Sequence, residues 1–118
     1  MPAPSPAFNL TFSQSGRVWL VRPEGILDEI NGARLLDEIT ARLKAGARNF
    51  VLDGSAVVMT DSAGLGRLIR CYSDVRAAGG RLVLSQISPE LRRTLVLTRL
   101  VRFFSLYPSN EEALAAQD

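Results

Sequence analysis

Two brief apolar runs, Phe50-Val51-Leu52 and Leu82-Val83-Leu84, do most to limit what this chain can fold into. Each is too short for a helix and unbroken by polar residues, as a strand buried on both faces requires. Around them lie segments whose apolar residues recur at helical spacing. Ile30, Leu35, Leu36, Ile39 and Leu43 form one stripe over residues 29–45, closed by Gly46. Leu65, Leu68, Ile69, Tyr72 and Val75 form a second, from Ser62 to about Ala78, where Gly79-Gly80 stops it. Such alternation of strand and helix points to an α/β domain with mostly parallel pairing.

The flanks complete the pattern. Phe8, Leu10 and Phe12 alternate with Asn9, Thr11 and Ser13, the period of a half-buried strand. Ser15-Gly16 turns the chain into Val18-Trp19-Leu20-Val21, an antiparallel second strand. Pro23 is expected to end it, because proline supplies no ladder N–H. Gly25-Ile26-Leu27-Asp28 is then expected as an exit loop, with Asp28 capping the first helix. Downstream, Ser88-Pro89-Glu90 opens a third helix with Leu91 and Leu95 inward. Phe103-Phe104-Ser105-Leu106-Tyr107 reads as a last strand broken by Pro108, and Ser109-Asn110-Glu111-Glu112 as a capping box for a short fourth helix bearing Ala113 and Leu114. The expectation is one domain over residues 8–118, after a flexible proline-rich tail over 1–7. It holds a mixed, mostly parallel sheet of about five strands with about four helices. Strands added in simple order would put every helix on one face, since parallel crossovers are right-handed. The two-sided burial of the brief runs demands a second cover, which the pattern does not identify.

The side chains available for chemistry are few. The chain has no histidine, which removes a Ser-His-Asp triad and histidine-ligated metals. One cysteine, Cys71, excludes an internal disulfide and thiolate zinc clusters, suits a reducing compartment, and reads as a small buried residue. Gly64-Leu65-Gly66 is followed by Ile69 where a dinucleotide fingerprint needs its third glycine. Asp37-Glu38 and Glu111-Glu112 read as solvated helix faces. Fourteen basic and twelve acidic residues are scattered without a basic run, so nucleic acid is not an expected partner; no apolar run approaches the ~18–20 residues that span a bilayer, so no membrane is expected either. No cofactor and no enzymatic activity are expected, and the location expected is the cytoplasm.

What remains is Val57-Val58-Met59-Thr60-Asp61-Ser62-Ala63-Gly64-Leu65-Gly66. Asp61-Ser62 falls at a helix start, where free backbone N–H groups want an acceptor. Gly64 and Gly66 follow in the first turn against propensity, as if a surface without side chains were needed there for docking. Ser62 is either a helix cap or an exposed hydroxyl that accepts phosphate. A phosphoserine adds about −1.5 to −2 charges, which a helix N-terminus tolerates and a docked partner would not.

The string Asp61-Ser62-Ala63-Gly64-Leu65-Gly66 resembles the signature of the STAS domain, as found in anti-sigma factor antagonists. Gly25-Ile26-Leu27-Asp28, Gly79-Gly80-Arg81-Leu82-Val83-Leu84, Ser88-Pro89-Glu90-Leu91-Arg92-Arg93 and Tyr107-Pro108-Ser109 extend the resemblance along the chain. It implies partner switching. The unphosphorylated protein would bind an anti-sigma factor that is also a serine kinase, freeing a sigma factor. The kinase would use ATP to phosphorylate Ser62, and a serine phosphatase would reverse this. Asp28, Asp61, Ser62, Ala63, Gly64 and Gly66 would meet the partner. Ala63 replaces a second hydroxyl common in the family, which leaves Ser62 favoured; Ile26 replaces a common acid, and Arg99 a common glycine in the turn after the third helix. The alternative is a non-switching STAS scaffold subunit of a stressosome-like or membrane-transport complex.

Overall fold

The computed structural model describes residues 8–117, so the proline-rich tail expected over 1–7 lies outside the described residues. Strand β1 (Asn9–Ser15) turns at Gly16-Arg17 into β2 (Val18–Leu27), with which it pairs antiparallel along its whole length. Gly16 takes a φ of 60° at the first position of this tight turn, a conformation open to glycine. Then follow α1 (Glu29–Lys44), β3 (Asn49–Asp53), β4 (Val57–Thr60), α2 (Ser62–Ala77), β5 (Arg81–Ser85), α3 (Pro89–Leu97), β6 (Leu106–Tyr107) and α4 (Asn110–Ala116). The six strands run β1-β2-β3-β5-β6, with β4 alongside β2, and every pairing after the first hairpin is parallel.

Three expectations need correcting. First, Pro23 does not end β2; the strand continues through Gly25, Ile26 and Leu27, in place of the expected loop. The reason is a gap in the pairing. β3 lies beside β2 only from Val18 to Val21, and β4 only from Gly25 onward. Ser15 and Val18 flank a two-residue turn and so share hydrogen bonds, and by alternation the backbone of residue 23 faces away from β1. Its missing N–H therefore points into the stretch that no strand occupies. Second, Phe103 and Phe104 lie in a turn and only Leu106-Tyr107 pairs with β5. The two phenylalanines instead form an aromatic cluster with Tyr72 of α2, ring centroids 4.6 and 5.4 Å away. Third, Ile30 is 74% exposed and no part of the buried stripe of α1, whose inward residues are Asn31, Gly32, Leu35 and Ile39.

The main core lies between the sheet and the first three helices: Leu35 and Ile39 of α1, Leu65, Leu68, Cys71 and Val75 of α2, and Leu91 and Leu95 of α3 pack on Val21, Phe50, Leu52, Leu82 and Leu84. Cys71 is fully buried, which pushes its thiol up to about 12 and makes it inert. The second face of the sheet carries Val18, Val51 and Val83, covered by Ala113 and Leu114 of α4. The missing cover is thus the C-terminal helix. Arg99, in the turn after α3, adopts a φ of 62°, so the chain keeps a left-handed backbone there with an arginine in place of the glycine that conformation favours.

Candidate functional site

Adjacent parallel strands β2 and β4 each deliver the chain into a helix, and both strand-to-helix junctions are built alike. Asp28 caps α1, its Oδ1 accepting from Asn31 N at 2.8 Å; Asp61 caps α2, its Oδ1 accepting from Gly64 N at 2.8 Å. Both caps have an extended backbone, with φ, ψ of −104°, −168° and −100°, −179°. The last carbonyls of β2 are satisfied from the same region: Asn31 Nδ2 donates to Ile26 O at 2.9 Å and Thr60 Oγ1 to Leu27 O at 2.8 Å. A carbonyl left unpaired there would cost about 1–3 kcal/mol, so these side chains fix one junction against the other.

The two glycines of α2 do different things. A β-carbon at Gly64 would collide with the Leu27 carbonyl oxygen, and Gly64 is buried. The close approach it permits is therefore within the chain, bringing α2 down on the junction of β2 and α1. Gly32 plays the same part from α1, where a β-carbon would meet the Arg67 side chain at 2.8 Å. Gly66 is exposed, with nothing within 4 Å of where its β-carbon would stand. Of the two glycines expected to leave room for docking, only Gly66 faces open space.

Ser62 is the first residue of α2, exposed, with no hydrogen bond to its hydroxyl among the described residues. Asp61 does the capping, which leaves Oγ of Ser62 unemployed. The amides of Ser62 and Ala63 precede the first intrahelical acceptor, so they add a positive end beside that oxygen. Asp61 and Ala63 are exposed and Asp28 is half-buried. The structure thus brings Asp28, Asp61, Ser62, Ala63 and Gly66 to one end of the sheet, with Gly64 beneath them.

Residues outside the expected set complete the surface. Ile30 stands two positions after Asp28, and Val58 and Met59 just before Thr60 and Asp61; all three are exposed, at 74%, 61% and 54%. The signal for the last two was available. Val57 is buried, so two successive apolar residues after it break the alternation of a half-buried strand and must both face outward or sideways. Between α1 and α2 an open groove of about 480 Å³ is lined by Glu29, Ala63, Gly66, Arg67, Ile69 and Arg70, with Arg67 NH2 3.8 Å from Glu29 Oε1. No helix among the described residues is long and apolar enough to cross a membrane.

The chain is thus a small α/β domain that carries a free hydroxyl at a helix start, beside exposed apolar side chains. The chain belongs to the STAS domain family, whose model matches residues 9–113. BtrV of Bordetella bronchiseptica, assigned as an anti-sigma factor antagonist, is 29% identical over 93 residues, covering 79% of this chain and 80% of its own. The crystal structure of an anti-sigma factor antagonist from Mycobacterium paratuberculosis superimposes with a TM-score of 0.81 at 28% identity, over 94% of each chain. The phosphorylated form of the Bacillus cell fate determinant SpoIIAA shares the fold, with a TM-score of 0.71 at 22% identity over 93% of this chain and 98% of that one.

Proposed function

We propose that this protein is an anti-sigma factor antagonist that works by partner switching. Its unphosphorylated form binds an anti-sigma factor with serine-kinase activity through the surface formed by Asp28, Asp61, Ser62, Ala63 and Gly66, with Ile30, Val58 and Met59 supplying apolar contact. Phosphate on Ser62 ends the complex, and a serine phosphatase restores it. The observation that carries this reading is the free Ser62 hydroxyl, relieved of capping by Asp61. The assignment of BtrV and the phosphorylated form of SpoIIAA support it.

The energetics divide in the required way. An anion at the first turn of α2 is favoured by about 0.3–1 kcal/mol at an exposed site, so the domain tolerates the phosphate. A docked partner would have to desolvate a dianion beside Asp28 and Asp61, at a cost of several kcal/mol. The test is incubation with ATP and the anti-sigma factor kinase of the source organism, read by intact mass. One phosphate should be added, and none in Ser62→Ala. Undiminished labelling of that variant would remove the proposal.

A further inference from the structure

Three strands have a single neighbour in the sheet: β1, β4 and β6. Two of these edges are dealt with inside the chain. β6 is two residues long, and β4 is held by α3, whose capping Ser88 donates from Oγ to Val57 O at 2.7 Å. β1 is different. It is seven residues long, paired without a bulge along its length, and no described element pairs with its outer side. Its sequence, Asn9-Leu10-Thr11-Phe12-Ser13-Gln14-Ser15, contains no charge and no proline, the two devices that usually keep an edge from pairing.

The direction of the free groups follows from the hairpin. Ser15 and Val18 exchange hydrogen bonds beside the Gly16-Arg17 turn, so by alternation Ser13, Thr11 and Asn9 also bond to β2. Leu10, Phe12 and Gln14 are left with N–H and C=O directed outward. From this we infer that β1 is the pairing edge of a two-fold dimer, joined antiparallel to β1 of a second copy about an axis at Phe12. Leu10 then faces Gln14 of the second copy and Phe12 faces its own equivalent, closing about six backbone hydrogen bonds. The occupant is a second copy because the strand is self-complementary. The strand itself brings no charge to the axis, and the flanking α1 face that lines the groove beside Leu10 and Phe12 carries Arg34 and Arg42 against Asp37 and Glu38, with no net charge. Arg42 is already neutralised by Glu38 at 2.7 Å and lies over the Phe12 ring at 3.5 Å, which keeps that aromatic ring in place at the axis.

Among the described residues each chain offers one such edge, so pairing stops at two and does not run on as a filament. The axis also lies well away from the proposed docking surface. Phe12 sits opposite Val21, six residues before Leu27, the end of β2 on which the first turn of α2 rests, a separation of about 20 Å along the strand. Both Ser62 surfaces stay open in the dimer, so the pairing does not depend on Ser62 acting as a switch.

Sedimentation equilibrium of the full chain at concentrations up to about 1 mM, where weak specific pairs become populated, tests it. A species of twice the 12.9 kDa chain mass is expected. Gln14→Pro removes an outward N–H without touching the β1–β2 ladder, and Thr11→Lys with Ser13→Lys sets lysines opposite one another across the axis; each should lower the association constant at least tenfold in a protein that remains folded by circular dichroism. Wild-type protein that stays at the monomer mass, or folded variants that dimerise as before, would overturn the inference. If the variants fail to fold, amide exchange of the wild type decides: protection of the Leu10, Phe12 and Gln14 amides that rises with protein concentration supports the pairing, and protection independent of concentration overturns it.

Discussion

Ser62 and Ser88 both stand where a parallel strand hands over to a helix, and their hydroxyls are employed in opposite ways. Ser88 is the cap of α3, 6% exposed, accepting from Leu91 N at 3.1 Å and donating to Val57 O at 2.7 Å. It ties a helix and an edge strand together. Ser62 stands one position inside its helix, behind a capping aspartate, and its oxygen is free. One place later in the same kind of junction turns a structural serine into an available one. The fold therefore separates holding the helix from presenting the hydroxyl, and gives the first task to Asp61.

That contrast can be broken from several sides. The largest effect should come from beneath Ser62. Gly64→Ala forces a methyl group against the Leu27 carbonyl, so it should cost about 2–3 kcal/mol in urea unfolding through overpacking. A cost near zero would mean that the start of α2 is loosely seated. Next come the serines themselves. Ser88→Ala removes a cap and strands the Val57 carbonyl, for a loss of about 1–3 kcal/mol, whereas Ser62→Ala should stay within about 0.5 kcal/mol of wild type. Equal losses would erase the distinction between the two hydroxyls.

A smaller effect lies at the far side of the sheet, where α4 is fastened. Asp53, at the end of β3, is buried; its Oδ2 accepts from Asn110 Nδ2 at 3.0 Å and its Oδ1 from Ser55 N at 2.9 Å. Ser85 Oγ donates to Asn110 Oδ1 in the same cluster. Burial is the largest single influence and raises the Asp53 pKa. The hydrogen bonds from Asn110 and Ser55, with the charge of Arg22, together outweigh it and hold the carboxyl below its ordinary value of 3.8. The folded state then binds fewer protons than the unfolded one. The contribution of this group is fully present above pH 3.8 and is lost as the pH falls through the lowered value. Unfolding midpoints in urea should decline over that range, and the decline should flatten in Asp53→Asn, which is weaker already at neutral pH.

How far the sequence carried differs between local and long-range features. Three helix caps were legible at Asp28, Ser88 and Ser109, because a cap is written in one side chain and the three residues after it; at the start of α2 the sequence left the cap open between Asp61 and Ser62. The buried strands at Phe50-Leu52 and Leu82-Leu84 were legible for the same local reason. The passage of β2 through Pro23 was not, since it depends on where β3 stops and β4 begins alongside. Nor was the role of Gly64, whose spacing suggested space for a partner when the space is filled by Leu27 of the same chain. Ile30 sat close enough to the helical stripe of α1 to be counted in it, and only the seating of α1 against α2, through Gly32 and Arg67, turns it outward. Local chemistry shows in the chain; which elements become neighbours does not.

Above all, Ser62 should be able to gain charge without unsettling the domain, and unable to do so without losing its partner. Ser62→Asp, measured once for thermal stability and once for affinity to the anti-sigma factor kinase, tests both halves together. Stability should stay within about 1 kcal/mol of wild type while affinity falls at least tenfold, about 1.4 kcal/mol. Unchanged affinity in a stable protein, or a domain that unfolds, would contradict the switch.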